Sequence, residues 1–404
     1  MDEKAQREGK LVFTAAFVII FCCSASAAFS VFAETLQDAT SGTAAQVAIT
    51  LTIYQFFMAL FGIISGRVID RTSPKKLMFI GGFVFGLGWF LGAFVNSLPF
   101  LYLSIGFLAG AGNGLLYNPA LLTALKWFPK NSGTASGFLL GAASLGPLVL
   151  AKVGAILSDR FGQAGFIPIG IAYLILVSLV AGFMKAPAES DVQTNQTNKK
   201  SGLSPSEMLK TTNFWLMIIL FSIACTAGVM LIGSLSPIAQ VQLNLTALTA
   251  SNFVVLNTLS NFFGRLVTGR AVDKIGPINT VITVLIITII GLLGLRISTN
   301  VILFAISVIL LGASFGGVLV IFPTLTNKTF GTKFSGSNYG IMFFGYAIGS
   351  YIGPQIATQA ANPEAGTGMF YNAYFVAIGV AVVGIIIAWI LSTRRIGQKD
   401  VRTN

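Results

Sequence analysis

Three polar residues stand where a membrane tolerates them least. Asn257, Asn261 and Arg265 follow one another at i+4 spacing inside the otherwise apolar run 248–269. On a helix they form one stripe along a single face. An arginine within a spanning helix costs on the order of 2.5–3.5 kcal/mol on insertion scales, so it normally faces a partner or a watery cavity. All 13 acidic residues lie outside the apolar runs or at their ends, so the sequence offers no obvious carboxylate at the depth of Arg265. A guanidinium grips a carboxylate through a planar two-pronged fork that both neutralises and orients it. The implied chemistry is capture of a small anion, with Arg265 as anchor and Asn257 and Asn261 beside it. The alternative is that Arg265 snorkels to the headgroups, because Arg270 follows five residues, or about 7.5 Å, further along.

The elements that must position this stripe are legible from composition. The 404 residues are 54% hydrophobic and only 9% charged, against about 25% charged residues in soluble domains. A bilayer-spanning helix needs about 20 apolar residues. Runs of that kind fall at 11–33, 44–66, 77–95, 100–125, 131–157 and 165–184, then at 214–235, 248–269, 279–295, 300–322, 334–358 and 369–392. Between the two sets, 185–213 carries Asp191, Gln193, Thr194, Asn195, Gln196, Lys199 and Lys200, too polar to pack as a domain. The expected organisation is a six-helix half over 1–184, a cytoplasmic linker over 185–213, a second six-helix half over 214–392 and a cytoplasmic tail over 393–404. The expected fold class is an all-α membrane protein with twelve transmembrane helices in two pseudo-symmetric halves.

In a soluble chain a net charge of +12 would suggest nucleic acid. Here position outweighs the sum. Of the 25 lysines and arginines, all but Lys152, Arg160, Arg265 and Arg296 fall on the side of the termini. The excess of basic loop residues on that side puts both termini in the cytoplasm. The first apolar run is too long for a signal-peptide core and reads as the first span. Cys22, Cys23 and Cys225 lie in apolar runs without metal-ligand spacing and read as packing residues. Lys152 sits toward the outer end of its run, where it can snorkel.

The chain also repeats itself. Gly66-Arg67-Val68-Ile69-Asp70-Arg71-Thr72-Ser73-Pro74 matches Gly269-Arg270-Ala271-Val272-Asp273-Lys274-Ile275-Gly276-Pro277 at an offset of 203 residues, about half the chain. The same offset carries Gly133 and Gly137 onto Gly336 and Gly340, and one residue less carries Gly110 and Gly114 onto Gly312 and Gly316. Six spans return the chain to its starting side, so the halves share an orientation and are related by an axis along the membrane normal. The glycines let helices approach closely. Asp70 and Asp273 can pair with arginines or cap helix ends, and Gly66, Asp70, Arg71, Gly269, Asp273 and Lys274 are candidates for a conformational gate.

The repeated G-R-x-x-D-[RK]-x-x-P segment resembles the cytoplasmic loop signature of the major facilitator superfamily, and the resemblance extends over the whole chain. A narrower one lies in Gly110-Ala111-Gly112-Asn113-Gly114, Tyr117, Lys126-Trp127-Phe128-Pro129, Gly133 and Gly137, and in Pro205, Glu207-Met208-Leu209-Lys210-Thr211 and Phe214-Trp215. These resemble the oxalate:formate antiporters and their monocarboxylate transporter relatives. The resemblance implies a secondary active transporter working by alternating access around a midplane site. There Arg265, four residues before Gly269, would hold the substrate carboxylate, and Asn261 matches an upstream polar position. The antiporters carry a lysine in span eleven, where this sequence has Tyr346. One fixed cation suits one carboxylate better than two, so lactate, pyruvate or formate rank above oxalate.

Tyr117, Tyr339, Tyr346, Phe343, Phe29 and Phe32 are candidates to line the cavity. No histidine is present, and Glu34 and Asp38 lie at the outer end of the first span. A carboxylate relay in the core is thus unsupported. Either the substrate carries the proton itself or one anion is exchanged for another. Efflux of a neutral or hydrophobic compound is the competing transport reading. No HExxH, P-loop or G-x-S-x-G motif supports an enzyme. The expected partners are a small carboxylate, with protons or a counter-anion, and the lipid bilayer, with no cofactor, metal or nucleic acid. The chain is expected to act as a monomer in the cytoplasmic membrane of a bacterium.

Overall fold

The computed structural model describes residues 3–24, 29, 31–69, 72–187 and 202–394. Long apolar helices dominate them. In chain order these are α1 (Glu3–Cys23), α2 (Ala33–Thr40), α3 (Ala44–Ile69), α4 (Pro74–Leu91), α5 (Leu98–Leu125), α6 (Ser132–Phe161) and α7 (Phe166–Ala181). They continue with α8 (Thr212–Leu243), α9 (Ala247–Ile275), α10 (Pro277–Ile297), α11 (Val301–Phe330), α12 (Ser335–Met342), α13 (Phe344–Gln359) and α14 (Tyr371–Thr393).

Among the described residues, 8 helical stretches are long and apolar enough to cross a membrane, one of them running from Pro129 through Ala181 across both α6 and α7. The helix bearing Arg265 is not among the 8, because the polar stripe dilutes its apolar content. Large apolar side chains face outward, as at Val267 (66% exposed) and Trp389 (63%). Water would reject such a surface, whereas lipid is its natural solvent.

Helix ends are set by local chemistry. The Thr246 hydroxyl accepts the Thr249 N–H at 3.3 Å and fixes the start of α9. Gly276, at φ +84°, turns the chain after α9, and Pro277 opens α10 at a position where its missing N–H costs nothing. The apolar runs understate several helices: α8 continues to Leu243 and α11 to Phe330. In the first expected span α1 is described to Cys23 and α2 from Ala33, with 25–28 and 30 outside the described residues. The eleventh breaks at Phe343 between α12 and α13. Within α5, residues Tyr102–Ala109 adopt wider π-type turns.

The helices gather into two compact units. One comprises Met1–Lys130, Ala142–Gly202 and Lys333–Ile341; the other comprises Asn131–Gly141, Leu203–Thr332 and Met342–Asn404. Helix α6 thus contributes its first turns to the second unit and the remainder to the first. Most of α12 belongs to the first unit. In the linker region, Pro205–Leu209 forms a short helix closed by a capping box between Ser204 and Glu207. Asp191, Gln193, Thr194, Asn195, Gln196, Lys199 and Lys200 lie outside the described residues, as does most of the expected tail.

Candidate functional site

The same close crossing occurs in both units. In the second, α9 packs on α11 with the Asn257 and Asn261 carbonyls against Gly312 and Gly316; a Cβ added at Gly312 would lie 2.7 Å from the Asn257 oxygen. In the first, α3 packs on α5 with the Tyr54 and Met58 carbonyls against Gly110 and Gly114. The repeat therefore pairs Tyr54 with Asn257, Met58 with Asn261, and Gly62 with Arg265. Small residues are needed wherever helix backbones approach this closely. The backbones of Asn257 and Asn261 lie in the tight crossing, and so does the Asn257 side-chain oxygen, 2.8 Å from a Cβ at Gly312, whereas the Asn261 side chain reaches Arg265.

Arg265 is buried, at 6% exposure, whereas Phe263 and Val267, two residues to either side, are 59% and 66% exposed on the opposite face. It stands ten residues, or about 15 Å, before the end of α9. Its Nε donates to Asn261 Oδ1 at 3.0 Å, and its Nη1 donates to the backbone carbonyl of Leu140 in the first turns of α6. The Asn261 amide holds the guanidinium plane one turn from its own Cα. This burial disfavours headgroup snorkelling and keeps the cation in a medium where its field is little screened.

Beside it, the second unit builds an aromatic row. Phe322 of α11 stacks on Phe221 of α8 with centroids 3.9 Å apart, Phe221 meets Phe343 edge-on at 6.3 Å, and Phe343 stacks on Tyr346 at 5.1 Å. Tyr346 is within Coulombic range of Arg265. Five sequence candidates, Asn257, Asn261, Arg265, Phe343 and Tyr346, are thus in this unit. Phe29, Tyr117 and Tyr339 are in the first unit, Phe29 and Tyr339 fully buried and Tyr117 half-buried.

Of the gate candidates, Asp273 makes the clearest contacts. Its Oδ1 accepts the Gly133 N–H at 2.8 Å and its Oδ2 accepts the Thr134 N–H at 2.7 Å, capping the start of α6. Gly269 lies against Gly133, where a Cβ on either would sit 2.5 Å from the other's carbonyl oxygen. Gly66 meets the Gly336 backbone in the corresponding contact of the first unit. Lys274 is exposed. Asp70 and Arg71 lie outside the described residues.

Two features escape sequence reasoning. Leu140 contributes a backbone carbonyl, which no side-chain pattern announces; its only trace was the glycine spacing just before it. The second is a buried link in the first unit, where Asn113 donates to the Cys23 carbonyl at 2.7 Å and to the Tyr54 hydroxyl. It joins the end of α1 to α3 and α5. Among the described residues no cluster of His, Cys, Asp or Glu could hold a metal ion.

The profile described as Major Facilitator Superfamily matches residues 14–354. YhjX of Escherichia coli, described as an uncharacterized MFS-type transporter, is 28% identical over 347 residues, covering 85% of this chain and 86% of that protein. The oxalate:formate antiporter of Oxalobacter formigenes is 27% identical over 381 residues, covering 93% of this chain and 89% of its own. The crystal structure of the transporter FucP in its outward conformation superposes with a TM-score of 0.71 at 17% identity, covering 94% of this chain and 98% of that one, which is agreement of fold. The profile takes in most of the sequence, and the chain belongs to the major facilitator superfamily, multi-pass membrane proteins that are not enzymes but carry small solutes by secondary active transport.

Proposed function

We propose that this protein moves a small organic anion, best a monocarboxylate of the lactate, pyruvate or formate class, with Arg265 holding the carboxylate. In this reading twelve spans form two six-helix halves that alternate access to the site, both termini are cytoplasmic, and the host membrane is the bacterial cytoplasmic membrane. The observation that carries the reading is Arg265 itself, buried in the interior of α9 and oriented by the Asn261 side chain. A cation kept inside a membrane protein against its insertion cost calls for a function, and anion capture is the one its fork geometry suits.

The Oxalobacter relative, whose name gives oxalate and formate, supports an anion as cargo. It also supports exchange as the second reading. Tyr346 favours a single negative charge, because a second carboxylate would be desolvated beside an aromatic ring rather than a second cation. Asn257, Tyr117, Tyr339, Phe343 and Phe29 complete the proposed lining. The test is uptake of labelled lactate, formate and oxalate into proteoliposomes, with and without a pH gradient, for the native protein and Arg265→Gln. Uptake of a monocarboxylate that disappears in the variant supports the reading, and gradient dependence separates symport from exchange. If no carboxylate enters with either protein, the anion reading fails.

A further inference from the structure

The first turns of α6 run antiparallel to the end of α9 and meet it at successive points one helical turn apart. Asp273 holds the Gly133 and Thr134 N–H groups, Gly269 packs on Gly133, the Arg265 carbonyl lies over Gly137, and the Arg265 guanidinium reaches the Leu140 carbonyl. Three of these ties involve only backbone and a fixed cap. The fourth ends on the side chain proposed to bind substrate. In the first unit the repeat reproduces the glycine contacts, Gly66 on Gly336 and Gly340 on Gly62. It has no equivalent of the fourth, because Gly62 stands where Arg265 does in the other repeat.

The donor geometry makes this fourth tie conditional. A guanidinium presents five N–H donors in a rigid fork, and a carboxylate takes two parallel ones along an edge. Asn261 holds Nε and the Leu140 carbonyl holds one Nη group, so a carboxylate taking the edge formed by the two Nη groups meets the Leu140 bond directly. A carboxylate outcompetes a neutral carbonyl for the same donor, since it brings an opposite charge and takes two parallel N–H bonds where the carbonyl takes one. The Leu140 carbonyl loses little on release, because as an α-helical carbonyl it keeps its bonding within α6.

We infer that Arg265 is a substrate-sensitive latch: an arriving carboxylate takes the Nη donor from the Leu140 carbonyl and so releases one of the four ties that hold the first turns of α6 on α9. This rests on the carboxylate reading of Arg265 and adds a consequence to it, since binding then weakens one specific helix contact. Anion occupancy and helix release become linked, as transport requires of a site whose cargo must trigger the next step.

The test is hydrogen–deuterium exchange of the full-length protein in nanodiscs, read at the peptide over 133–143 with and without saturating lactate and, separately, formate. Calorimetric binding of the same anions is measured in parallel. Loss of a charge-assisted tie predicts exchange about tenfold faster over this peptide when the anion is bound. The peptide over 335–342, whose repeat lacks the arginine, serves as the internal reference and is expected to change much less. Arg265→Gln is expected to exchange at the fast rate without any anion and to ignore its addition.

An anion that binds measurably yet leaves the 133–143 peptide unchanged overturns the latch while leaving the carboxylate site standing. An equal change in both peptides also overturns it, in favour of a general rearrangement. Absence of binding by either anion overturns the site and the latch together. The native measurement decides these outcomes even if the variant fails to fold.

Discussion

Replacing Asp273 by alanine removes both acceptors that close the start of α6. The two bonds, at 2.8 and 2.7 Å from Gly133 and Thr134, are charge-assisted and lie at the positive end of a helix dipole. Hydrogen bonds to charged groups contribute about 1.5–3 kcal/mol each. Asp273 is only partly buried, so water recovers part of that, leaving a net loss of about 2–3 kcal/mol. At 1.4 kcal/mol per decade, the equilibrium for fraying this helix start shifts by about 30- to 150-fold. Hydrogen exchange of the Gly133 and Thr134 amides reads this directly, and Asp273→Asn, which keeps one acceptor without the charge, should fall between native and alanine. Unchanged exchange in Asp273→Ala would refute the argument that this carboxylate holds α6.

Other outcomes follow from the same geometry. Arg265→Lys keeps the charge but loses the fork, so carboxylate uptake should persist with KM raised about tenfold or more, equivalent to about 1.4 kcal/mol, whereas Arg265→Gln should abolish it. Asn261→Asp places a carboxylate one turn from Arg265, where it competes with substrate; uptake should fall further than in Asn261→Ala, and the opposite order would count against Arg265 as anchor. Tyr346→Lys adds a second cation beside the aromatic row and should raise oxalate uptake relative to lactate in a competition assay. Gly316→Leu drives a side chain into the Asn261 backbone, and thermal unfolding in detergent should show a loss of about 1–3 kcal/mol or more; an unchanged midpoint would mean the α9–α11 crossing is looser than described.

Much of the architecture was already written in the sequence, because lipid imposes a simple rule: a span must be apolar and long. That rule located α3, α4, α10 and α14 closely. It also located α9, whose start at Ala247 falls one residue before the apolar run 248–269, but it carried no sign of features that backbone rather than side chain decides, such as the π-type turns of α5 and the break at Phe343. The repeat offset carried more information than any single motif. It marked Gly133 and Gly137 as equivalents of Gly336 and Gly340, which are the glycines that meet α9 and α3.

Composition and spacing along the chain suffice to mark a membrane protein with an internal repeat and one arginine set deep in an apolar helix. Those facts follow from local composition and spacing, since each residue's transfer cost and each helix's periodicity are properties of the chain alone. What surrounds that arginine is set by helix packing instead. Leu140 lies 125 residues from Arg265 in the chain, and its contribution is a carbonyl that every residue possesses. No side-chain code specifies such a partner; it is selected when α6 folds against α9, and with it comes the possibility that substrate and helix compete for the same donor.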